Sequence, residues 1–278
     1  MKVKRGFDTT TLHYYISNIK LKLNHHLKKG KYKTDSNKLP VNDAIRNNPI
    51  YLEDGTPFYF QNEYNHQLGD INLHLIHGKD TAFGFMTFSL SQLYKRKTYP
   101  TNDTAISKRE NMYPQLRNIK RILDKNGIIF KPKNIYFLTV TRQDIFCDIE
   151  VSQAPTLFME KLKIILVNGL EYDAILSNEN KPTLYWGSSK NIQLIVYDKT
   201  EQLKKVHGVT LNKNIIRIEL KIKGSANVEM IYGFKTMNDL VINSDNVVER
   251  FNNYLTDNFF SNFYKDSLLD EIVQLFNS

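Results

Sequence analysis

Cysteine is almost absent from the chain: with Cys147 alone, neither an intramolecular disulfide nor a cysteine-based zinc site can form. Long apolar runs are missing too, and stretches such as IILV at 164–167 fall far short of the ~20 residues that a membrane-spanning helix requires. The opening MKVKRGFDTT is basic, but no apolar region of the ~7–15 residues found in a secretory leader follows it. These absences give the expectation of a reducing, cytoplasmic protein with no membrane partner. No internal repeat, Gly/Ser linker or low-complexity run marks a boundary, so a single domain is expected over 1–278.

The composition is globular. Hydrophobic residues make up 41% of the 278, charged residues 24% and aromatics 12%, which argues against disorder. A chain near this length buries roughly 75% of its unfolded surface, enough for a sizeable core. Thirty-eight Lys and Arg against 29 Asp and Glu give a formal charge of +9, which favours polyanionic partners through counterion release.

In chain order, a strand is expected first, then a strongly basic stretch with Lys20, Lys22, Lys28, Lys29, Lys31 and Lys33 around His25 and His26. Such a stretch serves as a solvated face or as a phosphate-tracking one. Residues 50–88 are aromatic and broken by turn signals at 54–57 and 77–78, the pattern of short strands and hairpins. They contain His74 and His77. Histidines three apart on a strand face opposite sides, whereas a shared metal needs them two apart, so a structural or phosphate-contacting role is expected.

Leu116, Ile119, Ile122 and Leu123 recur at helical spacing before a stop at Gly127. The other face carries Arg117, Lys120, Arg121 and Lys125, and with Lys95, Arg96 and Lys97 it forms the expected DNA-facing patch. The segment 134–151 reads as one long strand with Arg142, Asp144 and Asp148 on one face. A core helix is expected over 155–168, between Pro155 and Gly169. After Gly224 the chain turns helical: Val247, Val248, Phe251, Tyr254 and Leu255 form one apolar stripe, and Leu268, Leu269, Ile272, Val273 and Phe276 another. The fold class expected is therefore α+β, an antiparallel central sheet with packed helices and a helical C-terminal tail over 236–278.

Two strands concentrate the chemistry. In IQLIVYDKT, Tyr197 and Lys199 share a face opposite Asp198; in IIRIELKIK, Ile216, Ile218, Leu220 and Ile222 point to a core while Arg217, Glu219, Lys221 and Lys223 point away. If the second strand lies beside the one bearing Asp144, Asp144 and Glu219 meet as a hard-oxygen pair suited to Mg²⁺ or Mn²⁺.

The segments VTRQDIFCD at 140–148, LYWGSSKNIQLIVYDKTEQ at 184–202 and RIELKIKG at 217–224, in that order, resemble the rolling-circle replication initiators of plasmids and filamentous phages. The likeness covers about 89–224. It implies a metal-dependent, site-specific single-strand DNA endonuclease and strand transferase. Such an enzyme nicks one strand of origin DNA with a tyrosine, leaving a 5′-phosphotyrosine and a 3′-hydroxyl that primes synthesis.

Carried onto this sequence, the resemblance makes Tyr197 the nucleophile, with Tyr185 in reserve and Lys199 near the phosphate. It makes Asp144 and Glu219 the metal ligands, with Asp148 and Glu201 as helpers, and Arg142 and Arg217 holders of phosphate or of those carboxylates. Lys221 and Lys223 join the DNA-binding set. The implied partners are the origin with its single-stranded nick site, a host helicase and polymerase, and a second copy of the chain. The paired histidines of the broader histidine-type nicking enzymes are missing, which places the chain with carboxylate-type initiators or else removes nicking. The alternatives are a non-catalytic DNA-binding replication regulator of the same ancestry and a mobilisation relaxase of the same chemistry.

Overall fold

A computed structural model describes residues 3–15, 19–21, 32–33, 50–51, 57–60, 63–68, 70–77, 82–90, 109–130, 134–173, 183–188, 190–263 and 267–277. The chain is α+β, built on an eight-stranded sheet. Its strands are β1 (Lys4–Tyr15), β2 (Glu63–Leu68), β3 (Ile71–His77), β4 (Ala82–Ser89), β5 (Thr139–Val151), β6 (Thr183–Gly187), β7 (Ile192–Asp198) and β8 (Asn214–Lys223). In space the order is β6-β7-β8-β5-β1-β4-β3-β2, and every neighbouring pair is antiparallel. The N-terminal strand thus sits at the centre. It joins a hairpin series, β2–β4, to the four strands on which the expected chemistry lies.

Alternation explains how the sheet is covered. On β5 to β8 one face presents Ile145, Cys147, Ile149, Leu194, Val196, Ile216, Ile218, Leu220 and Ile222, all fully buried. Against it pack α3 (Pro155–Leu162), α5 (Ser225–Tyr232), α7 (Ser244–Asn258) and α8 (Ser267–Asn277). Trp186 shows how closely the layers meet: it is fully buried, its Nε1 donates to the Ile165 carbonyl at 3.1 Å, and its ring meets Phe259 edge-on at 5.7 Å. Between α5 and α7 runs α6 (Met237–Ile242), opened by a capping box in which Thr236 and Asp239 satisfy each other's backbone N–H groups. The C-terminal region is therefore helical from Ser225 onward, and α8 packs on β5 and α3 as part of the core.

The amphipathic helix α1 (Arg109–Lys125) buries Met112, Leu116, Ile119 and Leu123 and leaves Arg117, Arg121 and Lys125 exposed, as its spacing predicts. Lys120 is tied to Asp124 at 2.5 Å. Lys95, Arg96 and Lys97 lie outside the described residues, as do Lys22, Lys28, Lys29, Lys31, His25 and His26; of Lys20 and Lys33 only the strand backbone is described.

Two expected elements differ from those observed. The strand expected from Asn134 begins at Thr139, because 134–137 forms a helical turn, α2 (Asn134–Phe137). The helix expected over 155–168 stops at Leu162. Beyond it Ile165 and Val167 are buried while Ile164 and Leu166 stand 73% and 71% exposed, the alternation of an extended segment, and Val167 bridges to Leu170. The run KIILV is β-branched at its centre and carries extended-chain preference, which outweighs its apolar character.

Candidate active site

The register of β5, β8 and β7 decides which polar side chains meet. Asp144 pairs with Lys221, Phe146 with Glu219 and Asp148 with Arg217; across β8, Gln193 opposes Lys221, Ile195 opposes Glu219 and Tyr197 opposes Arg217. All of these lie on the face away from the packed helices. Asp144 and Glu219 are therefore diagonal neighbours on adjacent strands, as the sequence pattern expected. Tyr197 lies one strand further on, and its hydroxyl donates to Glu219 Oε2 at 3.5 Å.

Most of this polar face is buried. Asp148 and Arg217 are 1% and 3% exposed and joined in a two-pronged ion pair, Nε to Oδ1 at 2.5 Å and Nη2 to Oδ2 at 2.7 Å. The guanidinium also lies 3.7 Å above the Phe146 ring. Arg142 holds Asp144 in the same manner, with Nε reaching both carboxylate oxygens at 3.0 and 3.2 Å. Two arginines expected to grip phosphate are thus engaged with carboxylates, the second of the two roles the resemblance allowed.

Lys199 departs from its expected place. The strand ends at Asp198, and Lys199 opens α4 (Lys199–His207), with Asp198 as N-cap accepting from the Glu201 N–H at 2.9 Å. Asp198 thus caps the helix that carries Lys199. The turn of helix still brings Lys199 Nζ to 5.9 Å from the Tyr197 ring centroid, and Nζ donates a hydrogen bond to Gln202 Oε1 at 2.6 Å. Glu201 is paired instead with Lys205 at 3.2 Å.

The electrostatics of the group follow from burial. Tyr197 is raised well above its ordinary 10 by desolvation, against the pull of Arg217. Glu219 is pushed up to about 7 by burial, then by the neighbouring charges of Asp144 and Asp8. Burial lowers Lys199 to about 8, aided by Arg217. Burial also raises Asp144, although Arg142 opposes it. Lys223 is lowered by burial and by its cationic neighbours Arg142 and Lys221.

Asp8 was not singled out by the sequence. It sits where the β1–β5 register slips between Phe7 and Thr10, and Ser89 Oγ donates to its Oδ1 at 2.7 Å. A bulge re-aims a side chain in a way that alternation does not anticipate. Its one sequence signal was a carboxylate inside an otherwise regular first strand.

Beside Tyr197 opens a cleft of about 390 Å³ between α4 and strands β6–β8. Tyr185, Ile195, Tyr197 and Glu219 line it from the sheet, Gln202 and Lys205 from the helix. Tyr185 thus shares the site with Tyr197, while its neighbour Trp186 turns into the core. Gly187 closes this hairpin strand with φ +82°, and a Cβ there would meet the Ile192 carbonyl oxygen at 2.4 Å, so only glycine permits the pairing that sets Tyr185 opposite Ile195.

No protein-family model and no curated sequence matches the chain. Among solved structures it is similar to the rolling circle replication initiator protein from Geobacillus stearothermophilus. The identity is 13%, the TM-score 0.45, and the alignment covers 99% of this chain and 96% of that one. A likeness that remote speaks to neither residues nor chemistry, and the site stands on its own geometry.

Donor chemistry tests the expected cation. Among the described residues no three His, Cys, Asp or Glu side chains converge as a metal cage. Both oxygens of Asp148 are taken by Arg217, so Asp148 does not fit. Glu219 has no ion-pair partner among the described residues, and burial first, then the charges of Asp144 and Asp8, raise it, which is the environment a cation relieves. Mg²⁺ commonly takes only one or two carboxylates and completes its shell with water and phosphate oxygens. Both oxygens of Asp144 are held by Arg142 as those of Asp148 are by Arg217, so the carboxylate that fits this pattern is Glu219, and the expected Asp144–Glu219 ligand pair is reduced to Glu219.

Proposed function

We propose that the protein is a replication initiator that nicks one strand of origin DNA through Tyr197 and so starts rolling-circle replication of a plasmid or phage. The observation that carries this reading is the Tyr197–Glu219 hydrogen bond, set at the mouth of a cleft with Lys199 beside the ring. Tyr197 Oη attacks phosphorus, a P–Oη bond forms and the P–O3′ bond breaks, giving a 5′-phosphotyrosine and a free 3′-hydroxyl. Because burial holds the phenol protonated, it needs an acceptor for its proton, and Glu219 lies along that bond with a proton affinity near neutrality. Lys199, lowered to about 8, can supply a proton to the departing 3′-oxygen.

Mg²⁺ or Mn²⁺, held through the Glu219 carboxylate, would add positive charge at the phosphate oxygens. Lys221 and Lys223 supply cations at the end of β8, where Lys223 is lowered first by burial and then by crowding with Arg142 and Lys221; a phosphate anion relieves that crowding. The exposed Arg117 and Arg121 of α1 offer a second surface for the DNA backbone, with Lys120 partly committed to Asp124.

The test is to incubate the protein and Mg²⁺ or Mn²⁺ with a supercoiled plasmid carrying its own gene and flanking DNA, then look for a covalent protein–DNA adduct. An adduct that Tyr197→Phe abolishes and Tyr185→Phe retains is the expected result. DNA binding without any adduct sinks the nicking reading and leaves the non-catalytic regulator. A transfer assay separates a mobilisation relaxase from an initiator.

A further inference from the structure

The cleft beside Tyr197 has a mixed lining that phosphate alone does not explain. Its three carboxylates, Asp198, Glu201 and Glu219, outnumber its two lysines, Lys205 and Lys221, and Glu201 already neutralises Lys205 at 3.2 Å. That balance does not select an anion. Its remaining lining, however, is aromatic and aliphatic: the Tyr185 and Tyr197 rings and Ile195 on the sheet side, and on the helix side Val206, 64% exposed. An exposed valine and a half-buried tyrosine lining one cleft offer apolar surface that a flat ring would cover.

Size agrees. At about 390 Å³ the cleft lies near the small end of the ~300–1,000 Å³ range of small-ligand sites, room for one nucleotide and far too little for a duplex. Polar groups at the rim suit a base edge: Gln202, its oxygen held by Lys199 at 2.6 Å, keeps its amide N–H groups as donors, and the carboxylates accept from exocyclic amino groups.

We propose that this cleft receives one unpaired nucleobase from the strand that Tyr197 attacks, with Tyr185 as the stacking surface and Val206 closing the opposite side. This rests on the reading of the site as a DNA-nicking centre and adds what holds the substrate there. A base lodged in the cleft fixes the strand beside the tyrosine, and because a duplex cannot deliver one, the site takes single-stranded or melted DNA. Tyr185 is then a positioning residue for the strand.

The experiment uses the full-length protein and single-stranded 20-mers carrying 5-iododeoxycytidine or 5-iododeoxyuridine, photocrosslinked and mapped by mass spectrometry. Crosslinking to the Thr183–Gly187 peptide is expected. In parallel, the affinity for dC 20-mer is compared with that for a fully abasic 20-mer. A stacked base is worth roughly 5- to 150-fold by alanine substitution, so Tyr185→Ala should lose that much on the base-bearing strand, lose little on the abasic one, and be rescued by Tyr185→Phe.

Equal losses on both strands, no binding of single strands, or crosslinks confined to other peptides overturn the proposal. Crosslinking at Tyr185 in a protein that never forms an adduct with plasmid leaves the base site standing and removes the nicking function. An adduct with no dependence on Tyr185 does the reverse.

Discussion

Glutamine at position 219 tests the electrostatics of the site directly. Glu219 is 8% exposed, and burial together with Asp144 and Asp8 raises it from an ordinary 4.5 to about 7. A carboxyl raised in the folded state stabilises that state fully below 4.5, and the contribution is lost as pH rises through 7. At ~1.4 kcal/mol per pH unit, that gap corresponds to about 3 kcal/mol of stability missing above pH 8. Glu219→Gln preserves the shape and still offers Tyr197 an oxygen, but it never ionises. The variant should match the wild type within ~1 kcal/mol at pH 5 and exceed it by roughly 2–3 kcal/mol at pH 8.5.

The measurement is urea unfolding in EDTA between pH 5 and 8.5, followed by far-ultraviolet circular dichroism and by fluorescence of Trp186, the one tryptophan and fully buried. A difference between variant and wild type that ignores pH, or a variant less stable at pH 8.5, refutes the assignment of Glu219 as a carboxylate strained by its neighbours. Repeating the series with Mg²⁺ extends it: if Glu219 holds a cation, Mg²⁺ stabilises the wild type at pH 8.5 and leaves Glu219→Gln unmoved.

Asp148→Asn leaves the Arg217 guanidinium buried without its counter-charge and should cost ~3–5 kcal/mol, read as a fall in melting temperature; a loss below ~1 kcal/mol would mean the pair is not closed as described. Asp198→Ala removes the cap of α4 and should cost ~1 kcal/mol while loosening Lys199, so its adduct yield should fall more than its stability; unchanged yield would separate the helix from the reaction.

Much of this was written in the alternation. The strict split of IIRIELKIK into apolar and charged faces fixes both the core side of β8 and the polar side on which Glu219 meets Tyr197, and the observed register agrees. What the pattern did not carry was set by tertiary structure. Alternation continued through Lys199 because nothing in YDKTEQ except the capping potential of Asp198 announces that the strand ends and a helix begins there. Asp8 was hidden because a bulge, which no period shows, turns it toward Glu219. The roles of the arginines depend on burial: Arg217 is 3% exposed and Arg142 lies mostly inside, and sequence alone does not say which guanidinium reaches solvent.

The pairing of both arginines with carboxylates reverses the simplest view of a basic site. A face rich in Arg and Lys invites the idea that each cation awaits a phosphate, but the two arginines at its centre are neutralised by Asp144 and Asp148. Dismantling either pair to free a guanidinium would expose a buried carboxylate to the incoming phosphate, which raises the cost twice over. Under the proposed function, the cations left in this site to meet DNA are therefore lysines, Lys199 beside Tyr197 and Lys221 and Lys223 along β8, which bind backbone as point charges without the fork that fixes orientation. A site whose cations do not orient the strand needs another means of doing so. The cleft beside Tyr197, with the Tyr185 ring, Ile195 and Val206 among its lining, has the size and the lining to be that means.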